Sequence, residues 1–156
     1  MLEEKRAYIA GFLDGDGCIM AQLVRRSGYV YGYQIRTSVV FYQKTNNERI
    51  LRWLKIQLSE GYIRQRNDGM SEYTIVGMQA VKKVLGKLLP HLRLKKQLAK
   101  AMIKLINCWP VNGRPEVDYY LKLCRQVDAT ALYNYSKKRT ITTATVERFL
   151  ANIISP

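Results

Sequence analysis

Two aspartates alternate with glycines near the amino terminus, in the run Asp14–Gly15–Asp16–Gly17. Closely spaced carboxylates are candidate ligands for a hard divalent cation, although Asp-Gly pairs are also typical of plain turns. The run is not an EF-hand loop, because Cys18, Ile19 and Arg25 stand where that loop needs an amide or acid, a glycine and a glutamate. A dinucleotide-binding loop is also excluded, because a helix and not a strand is predicted before the glycines. The spacing alone leaves a cation site and a plain turn open.

Other chemistries are limited by the scarcity of histidine and cysteine. His91 is the only histidine, which excludes mechanisms that need two histidines in one chain. The three cysteines, Cys18, Cys108 and Cys124, form no C-x-x-C pair, so we expect neither a zinc ribbon nor a disulfide framework. We interpret them as reduced thiols of an intracellular protein.

The charge is strongly positive and unevenly distributed. Twenty-six Lys and Arg residues against 12 Asp and Glu residues give a formal charge of +14, and residues 18–44 and 82–107 contain no acid. Such a balance favours a polyanionic partner, nucleic acid first and an anionic membrane second, although a charge run is often only a solvated face. We find neither a secretory signal nor a run of about 18 apolar residues that would span a membrane.

Hydrophobic periodicity predicts one α+β domain over residues 1–156, of which 47% are apolar. Two predicted hairpins alternate with helices in an αββαββα core, followed by extra C-terminal helices. The predicted helices are 3–14, 47–60, 78–89, 95–108, 116–133 and 142 or 143–154, and the predicted strands are 18–26, 31–43, 61–66 and 71–77. We therefore expect an antiparallel sheet with helices on one face.

Alternation along the strands predicts that the second face of this sheet is polar or cationic. In the first strand Ile19, Ala21 and Leu23 share one face, whereas Gln22 lies on the other. The first predicted helix contains Gly11 in its interior, which costs about 1 kcal/mol relative to alanine. A glycine there indicates close approach of another backbone, either a second copy of the helix or the chain's own sheet.

The run from Ile9 to Gly17, IAGFLDGDG, resembles the LAGLIDADG signature of homing endonucleases. The similarity extends to Tyr42–Thr45, Gly61–Arg64, 90–97 and 134–140, which look like segments of the compact members that carry a single motif. The resemblance implies a homodimer in which the motif helices pack together. It also implies a saddle-shaped antiparallel sheet that lies in the major groove of a pseudo-palindromic duplex.

The same resemblance implies catalytic residues and a metal. Asp16 is expected to bind Mg²⁺ with the Gly15 carbonyl, and Ca²⁺ or Mn²⁺ can substitute in the site. Gln43 matches the position that orients water, and Lys95 matches a basic residue beside the scissile phosphate. Without the resemblance, Gln43 is interpreted as a polar residue at the end of a strand, and Lys95 as one more lysine that faces a phosphate. Two departures from the family pattern, Asn47 for an arginine and Glu72 for an aspartate, are expected to alter rate rather than abolish activity.

Strand parity and the resemblance together define the expected partner surfaces. The predicted DNA contacts are Met20, Gln22, Val24, Arg26, Tyr29, Gln34, Arg36, Ser38, Val40, Arg64, Arg66, Thr74, Lys137, Lys138 and Arg139. Several lysines of 82–104 are also expected to hold phosphates. The predicted dimer interface is Ala10, Gly11, Leu13 and Asp14, although Asp14 is also expected to hold the helix end. Neither a membrane nor a small-molecule substrate is expected.

The sequence thus predicts a site-specific, metal-dependent DNA endonuclease of intron homing, working in an organelle (chloroplast or mitochondrion) or a bacterial cytoplasm. One alternative is a nucleic-acid binder that does not cleave, such as an intron RNA maturase. A basic membrane-surface protein is the other alternative, but it would need a cationic helix with an exposed apolar face. Retention of Asp16, Gln43 and Lys95 favours cleavage.

Overall fold

The structure is a computed structural model that describes residues 1–134 and 139–154. Within these residues the chain forms six α-helices and four β-strands. In chain order they are α1 (Glu3–Asp16), β1 (Gly17–Arg25), β2 (Tyr33–Lys44), α2 (Arg49–Leu58), β3 (Tyr62–Gln65), β4 (Met70–Val76), α3 (Met78–Leu88), α4 (Lys96–Asn107), α5 (Val117–Ala129) and α6 (Thr143–Ile154). The αββαββα core and the extra C-terminal helices are confirmed.

The four strands form one open antiparallel sheet in the order β1-β2-β4-β3. The predicted core residues Ile19, Ala21 and Leu23 are buried beneath the helices, and Val39 and Phe41 of β2 join them. Alternate residues of the same strands face away from this core, as the period of two requires. The predicted division into a helix-covered face and an outer face is therefore confirmed.

The first helix is two residues longer than the sequence predicted, because it ends at Asp16 and not at residue 14. The Gly17 N–H donates to the Leu13 carbonyl, so helical hydrogen bonding continues through the glycine-rich run. A side chain at Gly17 would also collide with the backbone of Leu13. The run is thus the end of a helix that passes directly into β1, and not a plain turn.

Other element boundaries differ from the prediction by up to four residues, most of them by one or two. The helix predicted over 116–133 ends at Ala129, and a 3₁₀ turn over Thr130–Tyr133 replaces its last part. The strand predicted from residue 31 begins at Tyr33, because the loop before it closes through a hydrogen bond from the Arg26 N–H to the Gly32 carbonyl. None of the helices in the described residues is long and apolar enough to span a bilayer.

The tip of the β1–β2 hairpin is braced by the C-terminal half of the chain. The Arg25 guanidinium lies 3.9 Å from the Phe149 ring centroid on α6 and donates to the Gly32 carbonyl. The Tyr31 hydroxyl donates to the Pro115 carbonyl at 2.7 Å. Gly32 has a positive φ of 70° and abuts Phe149, so a larger residue would be both strained and obstructed there. The hairpin tip is therefore held at a defined position.

Candidate active site and nucleic-acid interface

The exposed carboxylate of Asp16 stands at the last position of α1, where the helix meets the sheet. Helix carbonyls near this end lack intrahelical partners, so the Gly15 carbonyl offers a second hard oxygen beside it. Both Gly15 and Asp16 are exposed residues. The predicted cation ligands are thus placed together by the helix end.

The first motif aspartate, Asp14, is buried and joins α1 to the segment before α4. Its carboxylate accepts the backbone N–H groups of Arg93 at 2.6 Å, Leu94 at 3.2 Å and Lys95 at 2.9 Å. The Lys95 ammonium donates to the Asp14 carbonyl at 2.5 Å. Lys95 is therefore held at the same helix end as Asp16.

Gln43 lies at the end of β2 that faces this helix end. Gly17 pairs with Phe41 in the β1–β2 register, and Gln43 follows Phe41 by two residues on the same strand. Its side chain is half-buried, and its Oε1 accepts the Lys44 N–H at 2.9 Å. The fold thus brings the three predicted catalytic residues, Asp16, Gln43 and Lys95, to one end of the sheet.

One chain supplies few metal ligands at this site. Within residues 1–134 and 139–154, no group of three or more His, Cys, Asp or Glu side chains could hold a metal ion. One carboxylate and one backbone carbonyl fit Mg²⁺, which is held by one or two carboxylates with waters and phosphate oxygens completing its shell. The donor set therefore fits a hard cation that also contacts a phosphate substrate.

The outer face of the sheet carries most of the predicted DNA contacts. Cross-strand pairs place Met20 opposite Ser38, Gln22 opposite Arg36, and Val24 opposite Gln34. Gln22 is exposed, and Met20, Val24, Gln34 and Arg36 are partly exposed. Arg26 and Tyr29 are exposed at the hairpin tip. These side chains form an accessible polar and cationic surface.

Three predicted contacts in the middle of the face are covered. Ser38, Val40 and Thr74 are only 2%, 3% and 4% exposed, because they belong to the two central strands. They lie on the predicted face, but their side chains offer little surface to a base. Their prediction as direct contacts is corrected on this ground.

Two arginines of the β3–β4 hairpin are ion-paired at the surface. Arg64 reaches Glu72 at 2.8 Å across the outer face, and Arg66 reaches Asp68 at 2.7 Å in the turn. The Arg64 side chain is 65% exposed and the Arg66 side chain is 43% exposed, so each guanidinium keeps donors for another acceptor. Burial raises the pKa of the neighbouring Tyr42 hydroxyl, which therefore remains a neutral hydrogen-bonding group at neutral pH.

Arg139, which is predicted to contact a phosphate, is hydrogen-bonded within the chain. Its guanidinium donates to the Val127 carbonyl at 2.9 Å and to the Thr130 hydroxyl at 3.0 Å, at the end of α5. Burial lowers its pKa, and nearby Asp128 opposes that shift. Arg139 therefore anchors the loop after α5, and its contact with a phosphate stays a prediction. Lys137 and Lys138 lie outside the described residues.

The four residues predicted for the dimer interface do not share one exposed face of α1. Ala10 and Leu13 are fully buried in the chain's own core, and the Asp14 carboxylate is occupied, so their side chains are not available to a second copy. Gly11 alone of the predicted set is exposed, with open space around its α-carbon. It lies in a row with exposed Ala7 and Gly15, because residues four apart share a helix face.

Sequence reasoning missed two apolar residues beside this row, Tyr8 and Leu94. Tyr8 is exposed and packs edge-on against Trp53 of α2. Leu94 is 81% exposed because Asp14 holds its backbone against the end of α1. The helical period could have indicated Tyr8, whereas nothing local in the sequence marks Leu94.

Comparison with known proteins agrees with this arrangement. Residues 9–99 match the sequence pattern of the LAGLIDADG endonuclease family. DNA endonuclease I-CvuI of Chlorella vulgaris is 39% identical over 96% of this chain and 91% of its own length. DNA endonuclease I-CreI of Chlamydomonas reinhardtii is 33% identical over 94% of this chain and 88% of its own length.

Solved structures show the same fold. The crystal structure of I-CvuI in complex with the I-CreI target in the presence of Mg matches 99% of this chain and 97% of that chain, with a TM-score of 0.90 and 37% identity. An archaeal relative in fold, I-Vdi141I complexed with DNA, has a TM-score of 0.81 over 96% of both chains at 17% identity. With the motif helix, the paired hairpins and two such relatives in agreement, the chain belongs to the LAGLIDADG endonuclease family.

Proposed function

We propose that this chain is a site-specific DNA endonuclease that binds a long pseudo-palindromic duplex as a homodimer and hydrolyses one phosphodiester bond in each strand. The observation that carries the proposal is the exposed Asp16 carboxylate with Lys95 anchored at the same helix end, beside an open polar sheet face. Two relatives of similar length are named DNA endonucleases, which supports the same activity here.

A homodimer follows from what one chain contributes. Each protomer has a single motif, so two strands require two copies of Asp16 near a two-fold axis. The exposed row of Ala7, Gly11 and Gly15 allows another helix to approach closely, and Tyr8 and Leu94 supply apolar surface beside it. We assign this face of α1 to the dimer interface.

The chemistry is divided among three side chains. A divalent cation, when bound, neutralises charge on the phosphate and activates water. Asp16 and the Gly15 carbonyl would hold that cation, for which we propose Mg²⁺, with Ca²⁺ or Mn²⁺ able to occupy the same site. The Lys95 ammonium keeps two donors after its bond to Asp14, and these stabilise negative charge on the phosphate in the transition state. Gln43 orients the attacking water.

Recognition depends on the accessible outer face of the sheet. Arg36 is suited to guanine, and Gln22 and Gln34 are suited to adenine in the major groove. Arg64 and Arg66 extend this surface on the second hairpin. A DNA substrate places the activity inside a cell, and we propose an organelle or a bacterial cytoplasm as the compartment.

Selection of cleaved sites from a randomised duplex library with Mg²⁺ tests the proposal. We expect a pseudo-palindromic consensus, and we expect Asp16→Asn to lower cleavage by about 1,000-fold with binding retained, since metal ions contribute several kcal/mol to such reactions. Asp118→Asn, at an exposed aspartate on α5, is the matched control and should leave cleavage unchanged. Full cleavage by Asp16→Asn would remove this residue from the mechanism. Binding without cleavage by the wild-type protein would favour the alternative of a binder such as a maturase.

A further inference from the structure

A buried carboxylate that the proposed mechanism does not use lies beneath the second hairpin. Glu48, immediately before α2, is 6% exposed and has four hydrogen bonds. Its Oε1 accepts the Arg52 Nε at 3.0 Å and the Arg52 Nη2 at 2.7 Å, and its Oε2 accepts the Gln65 Nε2 at 2.8 Å and the Ser71 hydroxyl at 2.9 Å. A buried carboxylate with its acceptors satisfied defines a position sharply, because releasing its partners leaves polar groups unpaired.

The two partners of Oε2 form the last pair of the β3–β4 ladder. Gln65 lies opposite Ser71, and the adjacent pair, Arg64 opposite Glu72, is on the outer face. Period-two alternation therefore places the Glu48 carboxylate on the helix side, directly under the base-reading side. Glu48 joins the two strands through one oxygen atom.

The hairpin needs such an anchor because β3 is short and lies at the edge of the sheet. It has four residues and pairs with β4 alone. Its position therefore depends on four residue pairs with β4 and on the side chains that hold it from beneath. A second tie lies close by, where the Thr45 N–H donates to the Gly69 carbonyl and the Ser71 hydroxyl is 3.1 Å from the Thr45 hydroxyl. The turn of the hairpin is thus fastened to the segment that follows β2.

The anchored end of the hairpin is also the end nearest the catalytic residues. Ser71 lies opposite Gln43 in the β2–β4 register, and Met70 lies opposite Lys44. Arg64 and Arg66 therefore stand closer to Gln43 than the tip of the β1–β2 hairpin does. A small tilt of β3 would move both guanidinium groups relative to these inner base pairs.

We propose that Glu48 is a specificity-determining positioning residue, whose carboxylate fixes the β3–β4 hairpin so that Arg64 and Arg66 meet the base pairs nearest the cleaved bonds. This inference rests on the proposed function, because it concerns how the same site chooses its DNA. Glu48 touches neither the substrate nor the cation, and it acts through Gln65 and Ser71.

Hydrogen exchange of the free protein tests the anchoring without DNA. Glu48→Gln turns an acceptor into an amide that faces the Gln65 amide, so we expect exchange in β3 and the start of β4 to become about tenfold faster, while β1 and β2 are unchanged. Glu60→Gln is the matched control, because Glu60 carries the same charge just before β3 but pairs with Lys83 on α3. Equal exchange in Glu48→Gln and wild type would overturn the proposal.

Site selection tests the effect on specificity. Arg64→Ala and Arg36→Ala first assign the base positions that each hairpin reads. At the base pairs assigned to Arg64, we expect Glu48→Gln to lower the discrimination between preferred and other bases by about fivefold, which is part of what one good base contact provides. The base pairs assigned to Arg36 should keep their preference. Glu60→Gln should keep both sets of preferences. Gln65→Ala removes the hydrogen bond to Glu48 at an exposed residue, and it should change the base preferences in the same way as Glu48→Gln. It replaces Glu48→Gln if the Glu48→Gln protein does not fold.

The outcomes separate this inference from the proposed function. A wild-type protein without any sequence preference on DNA would overturn both. A wild-type protein with a clear consensus, together with a Glu48→Gln profile that is unchanged or weakened equally at all positions, would overturn the role of Glu48 alone.

Discussion

The two aspartates of the motif have opposite environments although they are two residues apart. Successive helical residues are rotated by about 100°, so Asp14 and Asp16 point to nearly opposite sides of α1. Asp14 meets the backbone N–H groups of residues 93–95 and is buried, while Asp16 is exposed. One acid therefore organises the site and the other is free to hold a cation.

Loss of the Asp14 carboxylate should impair cleavage as well as stability. Asp14→Asn replaces one acceptor by an amide that faces backbone donors, so we expect a loss of about 2 kcal/mol in the free energy of unfolding, the scale of hydrogen bonds to a charged group. We expect cleavage of the selected site to fall about tenfold or more at saturating DNA, because Lys95 is no longer held in place. Urea unfolding and single-turnover cleavage measure the two effects. Normal cleavage by a folded Asp14→Asn protein would argue against this role.

At the scale of elements, each hairpin of the sheet is secured by a different part of the chain. The β1–β2 tip is held by Arg25 against Phe149 of α6, far along the sequence. The β3–β4 turn is held by Glu48, which precedes α2. The strands alone do not set the positions of the reading side chains, because both outer strands, β1 and β3, are sheet edges.

The anchoring of the second hairpin should depend on pH. Hydrogen bonds from Gln65 and Ser71 hold the pKa of the Glu48 carboxyl below its ordinary value of 4.5. A lowered pKa in the folded state stabilises the protein fully above the ordinary value, and this stabilisation is lost as the pH falls through the folded-state pKa. We expect urea titrations between pH 7 and pH 3 to show a smaller acid-induced loss of stability in Glu48→Gln than in wild type or Glu60→Gln. An equal loss of stability on acidification in all three proteins would argue against this contribution of the Glu48 carboxylate.

At the scale of the whole molecule, the proposed function makes one chain half of a working assembly. It carries one exposed motif carboxylate, an uncovered small-residue row on α1 and a formal charge of +14. The charge favours rapid, salt-dependent association with DNA, and the α1 row is the face that we propose for the contact between two copies. Under this proposal, cleavage of both strands of a duplex requires the second copy.

A larger side chain on the α1 row should separate folding from assembly. Gly11 has open space around it within the chain, so Gly11→Gln is expected to fold and even to gain about 0.5 kcal/mol from its better helix propensity. We expect it to sediment as a monomer at micromolar concentration and to lose double-strand cleavage. Gly86→Gln is the matched control, since Gly86 is an exposed glycine on α3 with equally open surroundings. A dimer of normal affinity in Gly11→Gln would place the interface elsewhere.

Local patterns were sufficient for the element order, the two faces of the sheet and the motif acid. Alternation identified Ile19, Ala21 and Leu23 as core, because side-chain direction in a strand depends only on parity. The nine-residue motif pointed to Asp16 because contiguous residues keep the same order and spacing whatever surrounds them. The α1 end was misplaced by two residues, because helical hydrogen bonding continues through the glycine-rich run to the Gly17 N–H, where the sequence predicted a break.

The remaining features depend on which distant residues meet after folding. In the sequence Arg139 is one more basic residue of a cationic cluster, yet in the structure its guanidinium donates hydrogen bonds to Val127 and Thr130 at the end of α5. Ser38, Val40 and Thr74 have the parity of reading residues but are covered, because parity gives direction and not accessibility. Glu48 and Leu94 carry no local signal, since the burial of one and the exposure of the other arise from packing between elements. The sequence thus specifies the chemical groups and the local direction of each side chain. Burial and hydrogen-bond partners depend on residues far apart in the chain, so they are decided only when the elements pack together.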